Sequence, residues 1–152
     1  MATCWPAVKE VFGALSYVVK GMSPDGTELF YTVSYDTWRR KDTSDLVDHL
    51  EKKTTAGETN ISYRLNLQLQ AYRMKLAEKS KKKGGVRPIN FYVLTNGEWG
   101  KGKDVRETVR EMADWLAGRG LLKMVSISFI SFAQTEAAVN KIADVINTDF
   151  AV

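Results

Sequence analysis

The chain has one cysteine, one histidine and three prolines in 152 residues. None of its apolar runs approaches the ~18 residues that a membrane-spanning helix needs. The single cysteine, Cys4, excludes an intrachain disulfide framework and suits a reducing compartment. It has no nearby histidine or strong helix-terminal setting to activate its thiol. The single histidine, His49, falls on a short helical segment, which excludes a His-rich metal site or a catalytic triad. The first six residues, Met1 to Pro6, lack a basic segment followed by a long apolar stretch, so no secretory signal is expected. Without one, the glycosylation-like Asn60-Ile61-Ser62 carries no weight. These absences lead to the expectation of a cytoplasmic protein with no membrane association and no enzymatic activity.

What is present is ordinary globular composition, 44% hydrophobic and 26% charged, at about one domain's length. Such a chain buries about two-thirds of its unfolded surface. The net charge is +4, from 22 basic and 18 acidic residues, and much of the excess lies in Lys79-Ser80-Lys81-Lys82-Lys83. That run reads as a solvated helix end, so nucleic acid is not an expected partner.

Hydrophobic spacing predicts the elements. Val8, Val11, Phe12, Leu15, Val18 and Val19 give a helix that starts near Pro6 and stops at Gly21. Ser23-Pro24-Asp25-Gly26 is a turn, Leu29 to Tyr35 a strand, and Trp38 to Lys41 a short antiparallel edge strand. Ser44 is expected to cap a short helix reaching Lys53, and Thr59 or Asn60 the next one, with Ile61, Leu65, Leu69, Tyr72 and Leu76 on its face. Ile89 to Leu94 is nearly continuously apolar, as in a strand buried on both faces. A helix with Val105, Val109, Met112 and Leu116 follows, then a strand from Met124 to Ile130. A last helix carries Val139, Ile142 and Ile146, with Phe150 a turn beyond. Strands alternating with helices predict an α/β domain with a mostly parallel sheet. One oddity is the helical start: three clear strands serve about five helices, as if a first central strand were missing.

The stretch "VLTNGEWGKGKD", Val93 to Asp104, concentrates the candidate chemistry. From Gly97 to Lys103 it matches the glycine-lysine spacing of a phosphate-binding loop between a strand and a helix, with Gly97, Gly102 and Lys103 as the cradle. The next residue should be Ser or Thr to bind Mg²⁺ but is Asp104, a carboxylate that repels a triphosphate. No later strand ends in an acidic residue to hold the metal. A glycine-rich loop ending in an Asp104 N-cap needs no ligand.

Gly57-Glu58-Thr59-Asn60-Ile61, the strand Phe91 to Thr95 followed by Asn96-Gly97-Glu98, and the strand Val125 to Ile130 together resemble a von Willebrand factor A-type domain, closest to its intracellular fungal branch. The likeness extends over nearly the whole chain. It implies a Rossmann-like three-layer α/β/α fold with a metal-ion-dependent adhesion site at the carboxyl ends of the strands. That site uses an Asp-x-Ser-x-Ser loop, a threonine and an aspartate around Mg²⁺. By the resemblance, Thr59 takes the threonine position and Asn96 the aspartate position, while the Asp-x-Ser-x-Ser loop and the strand before it have no counterpart. One hydroxyl and one amide leave Mg²⁺ with nearly all its water, so no metal or other cofactor is expected. Without the central strand, Leu29–Tyr35 and Ile89–Thr95 close up, a second copy exchanges an element, or a partner strand inserts.

The expectation is therefore a single domain over residues 1–152, a protein-binding module with a degenerate metal site. Its partner is another protein, or a second copy joined by strand exchange or sheet pairing. Trp38, Arg39, Arg40, Thr59, Asn96 and Trp99 are the candidate contact residues, because Trp and Arg dominate binding hot spots. The alternative is nucleotide binding through Gly97, Gly102 and Lys103.

Overall fold

The computed structural model describes residues 2–23, 25–33, 36–54, 60–79, 85–98 and 104–146, apart from the side chain of Lys79. The chain is mixed α/β, with five α-helices and two two-stranded sheets among those residues. It divides into two compact units, Met1–Thr59 and Asn60–Val152.

In the first unit, helix α1 (Trp5–Lys20) carries Pro6 in its first turn and ends at Gly21, as the sequence predicts. Val8 and Phe12 are buried on it, whereas Val18, expected on the apolar face, is 64% exposed. Gly26 closes a turn onto Ser23 O at 3.0 Å, leading into strand β1 (Thr27–Phe30). Strand β2 (Thr37–Arg40) pairs with it antiparallel, Thr27 opposite Arg40 and Phe30 opposite Thr37. The first strand thus lies earlier than its β-forming residues suggest and stops at Phe30. Register with β2 sets its extent, while Tyr31 to Val33 belong to the connection. Helix α2 (Thr43–Glu51) packs on α1, with Leu46 and Leu50 buried. Its N-cap is Asp42, not Ser44: the Asp42 carboxylate accepts from Ser44 N at 3.1 Å. Lys9 reaches from α1 to Glu51 at 2.9 Å, Lys20 to Asp42 at 3.2 Å, and Trp5 Nε1 donates to Lys53 O at 3.0 Å.

The second unit is a parallel β-α-β element with two further helices. Helix α3 (Ile61–Lys79) begins where Asn60 Oδ1 accepts from Tyr63 N at 3.0 Å, a cap the sequence anticipates. Strand β3 (Ile89–Thr95) and strand β4 (Val125–Ser131) run parallel in register from Ile89–Val125 to Thr95–Ser131. Helix α4 (Val105–Ala117) connects them, and helix α5 (Glu136–Ile146) follows β4. Ile61, Leu65, Leu69, Tyr72 and Leu76 form one buried cluster with Val105, Met112, Leu116 and Val145. Ile89, Phe91, Val93, Val125, Ile127 and Phe129 pack against that cluster. A buried hydrogen bond, 3.0 Å between the hydroxyls of Ser62 and Thr108, joins α3 to α4 within it.

The strand read as buried on both faces alternates instead: Asn90 and Tyr92 are exposed, Tyr92 by 39%. Its apolar residues at odd positions suffice to meet the helices. The buried face of α5 is Ala138, Ile142 and Val145, while Val139 and Ile146 are exposed. A small residue is needed at 138, where the loop after β3 presses on the helix.

Candidate functional site

The carboxyl end of β3 is built from Thr95, Asn96, Gly97 and Glu98. Thr95 is buried, and its carbonyl accepts from Phe132 N at 2.7 Å, which fixes the turn out of β4 beside it. Gly97 then reverses the chain at φ +78°, in the left-handed region open to glycine. A Cβ there would stand 2.6 Å from Ala138 O and 2.9 Å from Ala138 Cβ, so the position excludes side chains twice over. Its N–H donates to Thr95 Oγ1 at 3.1 Å.

That bond bears on the phosphate-loop expectation. Such a loop works by aiming successive backbone N–H groups at the phosphates. Here the N–H of Gly97 turns to Thr95, and the N–H of Glu98 to Asn96 Oδ1 at 3.3 Å. The glycine is explained by its conformation and by Ala138. Gly102 and Lys103, the other two candidates, lie outside the described residues. Asp104 is the N-cap of α4, accepting from Arg106 N at 2.9 Å. Arg106 Nη2 also contacts its carboxylate at 2.7 Å, and this pairing lowers the Asp104 pKa.

Asn96 is likewise engaged. Its Oδ1 takes the Glu98 N–H, and its Nδ2 donates to Glu98 Oε2 at 2.7 Å. The amide and the carboxylate close the loop on itself, and the amide oxygen that would approach a metal already accepts a hydrogen bond. Thr59 and Trp99 lie outside the described residues. Among those described, no group of three or more His, Cys, Asp or Glu side chains is placed to hold a metal ion. Around the start of α3 there is only a small open depression of about 160 Å³, lined by Asn60, Ser62, Tyr63 and Asn66.

In the other unit, Trp38 is half-buried on β2 and stacks on His49 of α2, ring centroids 3.7 Å apart. The Arg40 guanidinium lies 5.1 Å from the Trp38 ring, and Tyr31 tilts against His49 at 5.9 Å. Desolvation, aided by Asp36, pushes the Tyr31 phenol up to about 12. His49 Nε2 is shut off from solvent with no hydrogen-bond partner. Desolvation, then the charges of Lys53 and Arg40, lowers the His49 pKa. Arg39 lies on the exposed side, its Nη2 donating to Asp25 O at 3.2 Å and its Nε 3.3 Å from Glu28. Trp38 and Arg40 thus form one compact group, from which the Arg39 side chain stands apart. His49, which the sequence leaves without a role, is at its centre. No periodicity signals that stack, because Trp38 and His49 belong to different elements with different repeats.

Comparison with protein-family models, with curated proteins and with solved structures found no match. No helix among the described residues is long and apolar enough to cross a membrane.

Proposed function

We propose that the chain is a cytoplasmic, non-catalytic protein-binding module of the von Willebrand A type, with a three-layer Rossmann-like plan and a degenerate metal site. The observation that carries this reading is the closure of Asn96 on Glu98. The position corresponding to a metal-bound aspartate holds a neutral amide whose oxygen and nitrogen are both hydrogen-bonded within the loop. Binding then rests on side chains rather than on a shared metal. The β3-α4-β4 parallel element supports the fold plan, and the Trp38–Arg40 group supports the contact role. Homodimerisation through a strand edge is the form that needs no second gene product.

A photo-crosslinking residue in place of Arg39 or Glu98, with Lys141 as the control position, tests the reading in cell extract. One polypeptide captured from Arg39 or Glu98 but not from Lys141 supports it; equal capture from all three contradicts it. Calorimetry supplies the second test. Stoichiometric Mg²⁺ binding at micromolar concentration contradicts the degenerate site, and ATP binding abolished by Lys103→Ala transfers the assignment to a nucleotide-binding protein.

A further inference from the structure

Residues 1–59 hold seven basic and nine acidic side chains, and residues 60–152 hold fifteen and nine. Nine of those fifteen fall in two stretches, 73–87 and 114–123, opposed only by Glu78 and Asp114. Outside these stretches, six basic residues of the second unit face seven acidic ones. The chain's entire positive excess therefore belongs to two segments far apart in sequence.

The fold brings the described parts of both segments to one end of the second unit. The Tyr72 hydroxyl lies 2.6 Å from Arg87 O and 3.1 Å from Met124 O, pinning α3 to the residues that lead into both parallel strands. With one proton to donate, it makes the shorter bond, to Arg87, the stronger. Next to Tyr72, the Arg73 guanidinium lies 4.9 Å from the Trp115 ring, and that of Arg119 lies 4.3 Å from the same ring. Lys123 sits in the short 3₁₀ turn Leu122–Met124 before β4. Arg87, Arg119 and Lys123 are exposed. Among the described residues, Arg73, Arg119 and Lys123 make no ion pair. Helix dipoles favour a cation or two at the ends of α3 and α4. They do not require Arg87 at the entry to β3, nor two guanidiniums fixed on one indole.

We propose that this end of the second unit binds the sugar–phosphate backbone of nucleic acid through Arg73, Arg87, Arg119 and Lys123. A guanidinium stacked on an aromatic ring loses little side-chain entropy on binding a phosphate. Arg119 Nη1 donates to Trp115 O at 3.2 Å, which leaves its other N–H groups for the ligand. Among the described residues of this unit, the exposed aromatics Tyr63 and Tyr92 lie on the first turn of α3 and midway along β3. Contacts at the basic end are therefore to phosphates rather than stacked bases, and binding is indifferent to sequence. Fixed cations suit the discrete phosphates of a strand better than the diffuse charge of an anionic membrane. The surface lies at the strand entries, at the other end of β3 from the Asn96–Glu98 loop, and it stands whether or not the protein-binding reading holds.

The test is fluorescence anisotropy of a labelled 20-nucleotide single-stranded RNA with the full chain across a salt series. Four phosphate contacts predict a slope of about −3 in log K against log salt, or about fiftyfold weaker binding at 200 mM than at 50 mM. The paired substitution Arg87→Glu with Lys123→Glu, which leaves the Trp115 stack intact, should weaken binding at least tenfold. Arg110→Glu with Lys141→Glu, the same charge change elsewhere on the unit, should leave it within about threefold. Equal loss in both pairs overturns the proposal, as does absence of binding at 50 mM salt. Binding to vesicles containing phosphatidylserine without binding to RNA also overturns it and assigns the surface to a membrane.

Discussion

The two units of this chain are held together by different physics. The described part of residues 60–152 encloses one contiguous apolar cluster, in which three helices and both parallel strands contribute and Leu69 and Val105 are essentially inaccessible. The described part of residues 1–59 has two helices and a hairpin of four-residue strands, with Val8, Phe12, Leu46 and Leu50 as its main buried side chains. Its long-range polar links are the Lys9–Glu51 and Lys20–Asp42 pairs, the Trp5–Lys53 bond, and the Trp38–His49 stack. Burial is insensitive to pH and salt, whereas half-exposed charges and an imidazole are not. The second unit should therefore be the steadier one, and the first should be the one that responds to conditions.

The largest expected effects come from the apolar interiors. Leu69→Ala should cost about 2–5 kcal/mol in urea unfolding, from lost burial and a residual cavity. Leu46→Ala belongs to the same range, but amide exchange should report its effect in residues 2–54 and that of Leu69→Ala in residues 60–146. If both variants loosen both units alike, the contrast between them is lost.

Next in size is Gly97→Ala, where a positive φ combines with a collision against Ala138; about 1–3 kcal/mol of destabilisation is expected. Gly120 also has positive φ, +65°, but open space where its Cβ would be. Gly120→Ala should thus cost only the conformational share, about 1 kcal/mol. Equal losses at the two glycines would remove the close approach of the β3 loop to α5 from the account.

A smaller effect separates the units by pH. His49 ordinarily titrates near 6.5, and its folded-state pKa lies below that value. The unfolded chain then binds more protons in the interval between the two values. The stabilising contribution is complete above about pH 6.5 and is lost as pH falls towards the folded pKa. Trp emission and thermal unfolding between pH 7.5 and 5.5 should report this loss, and His49→Gln should remove it. The smallest effect is at a helix cap: Asp104→Ala should cost about 0.5–2 kcal/mol, and Asp104→Asn less, since the amide oxygen still caps while the Arg106 pair is weakened.

Much of the second unit is legible in the sequence because its helices repeat apolar residues at one spacing. Ile61, Leu65, Leu69, Tyr72 and Leu76 are buried as that spacing requires, and the Asp104 and Asn60 caps follow from side-chain chemistry alone. Where periodicity is ambiguous the reading slips. In α5 both Val139 and Ala138 fit a helical face, and the choice depends on Gly97, some forty residues earlier in the chain. In the first unit Tyr31 has strand-forming chemistry, but strand pairing, a non-local property, ends β1 at Phe30. The same holds for the candidate site. Glycine at 97 is conspicuous in the sequence, but the direction of its N–H is set by Thr95 and is visible only in three dimensions. The basic end is split between two segments that tertiary structure alone brings together.

Residue-resolved amide hydrogen exchange at pH 7.5 and 5.5, corrected for intrinsic rates, tests the contrast between the units most directly. Protection is predicted to be higher in α3, β3, α4 and β4 than in α1 and α2, and to fall at the lower pH only in residues 2–54. Uniform protection across the chain, or a loss at pH 5.5 shared by both units, would contradict it.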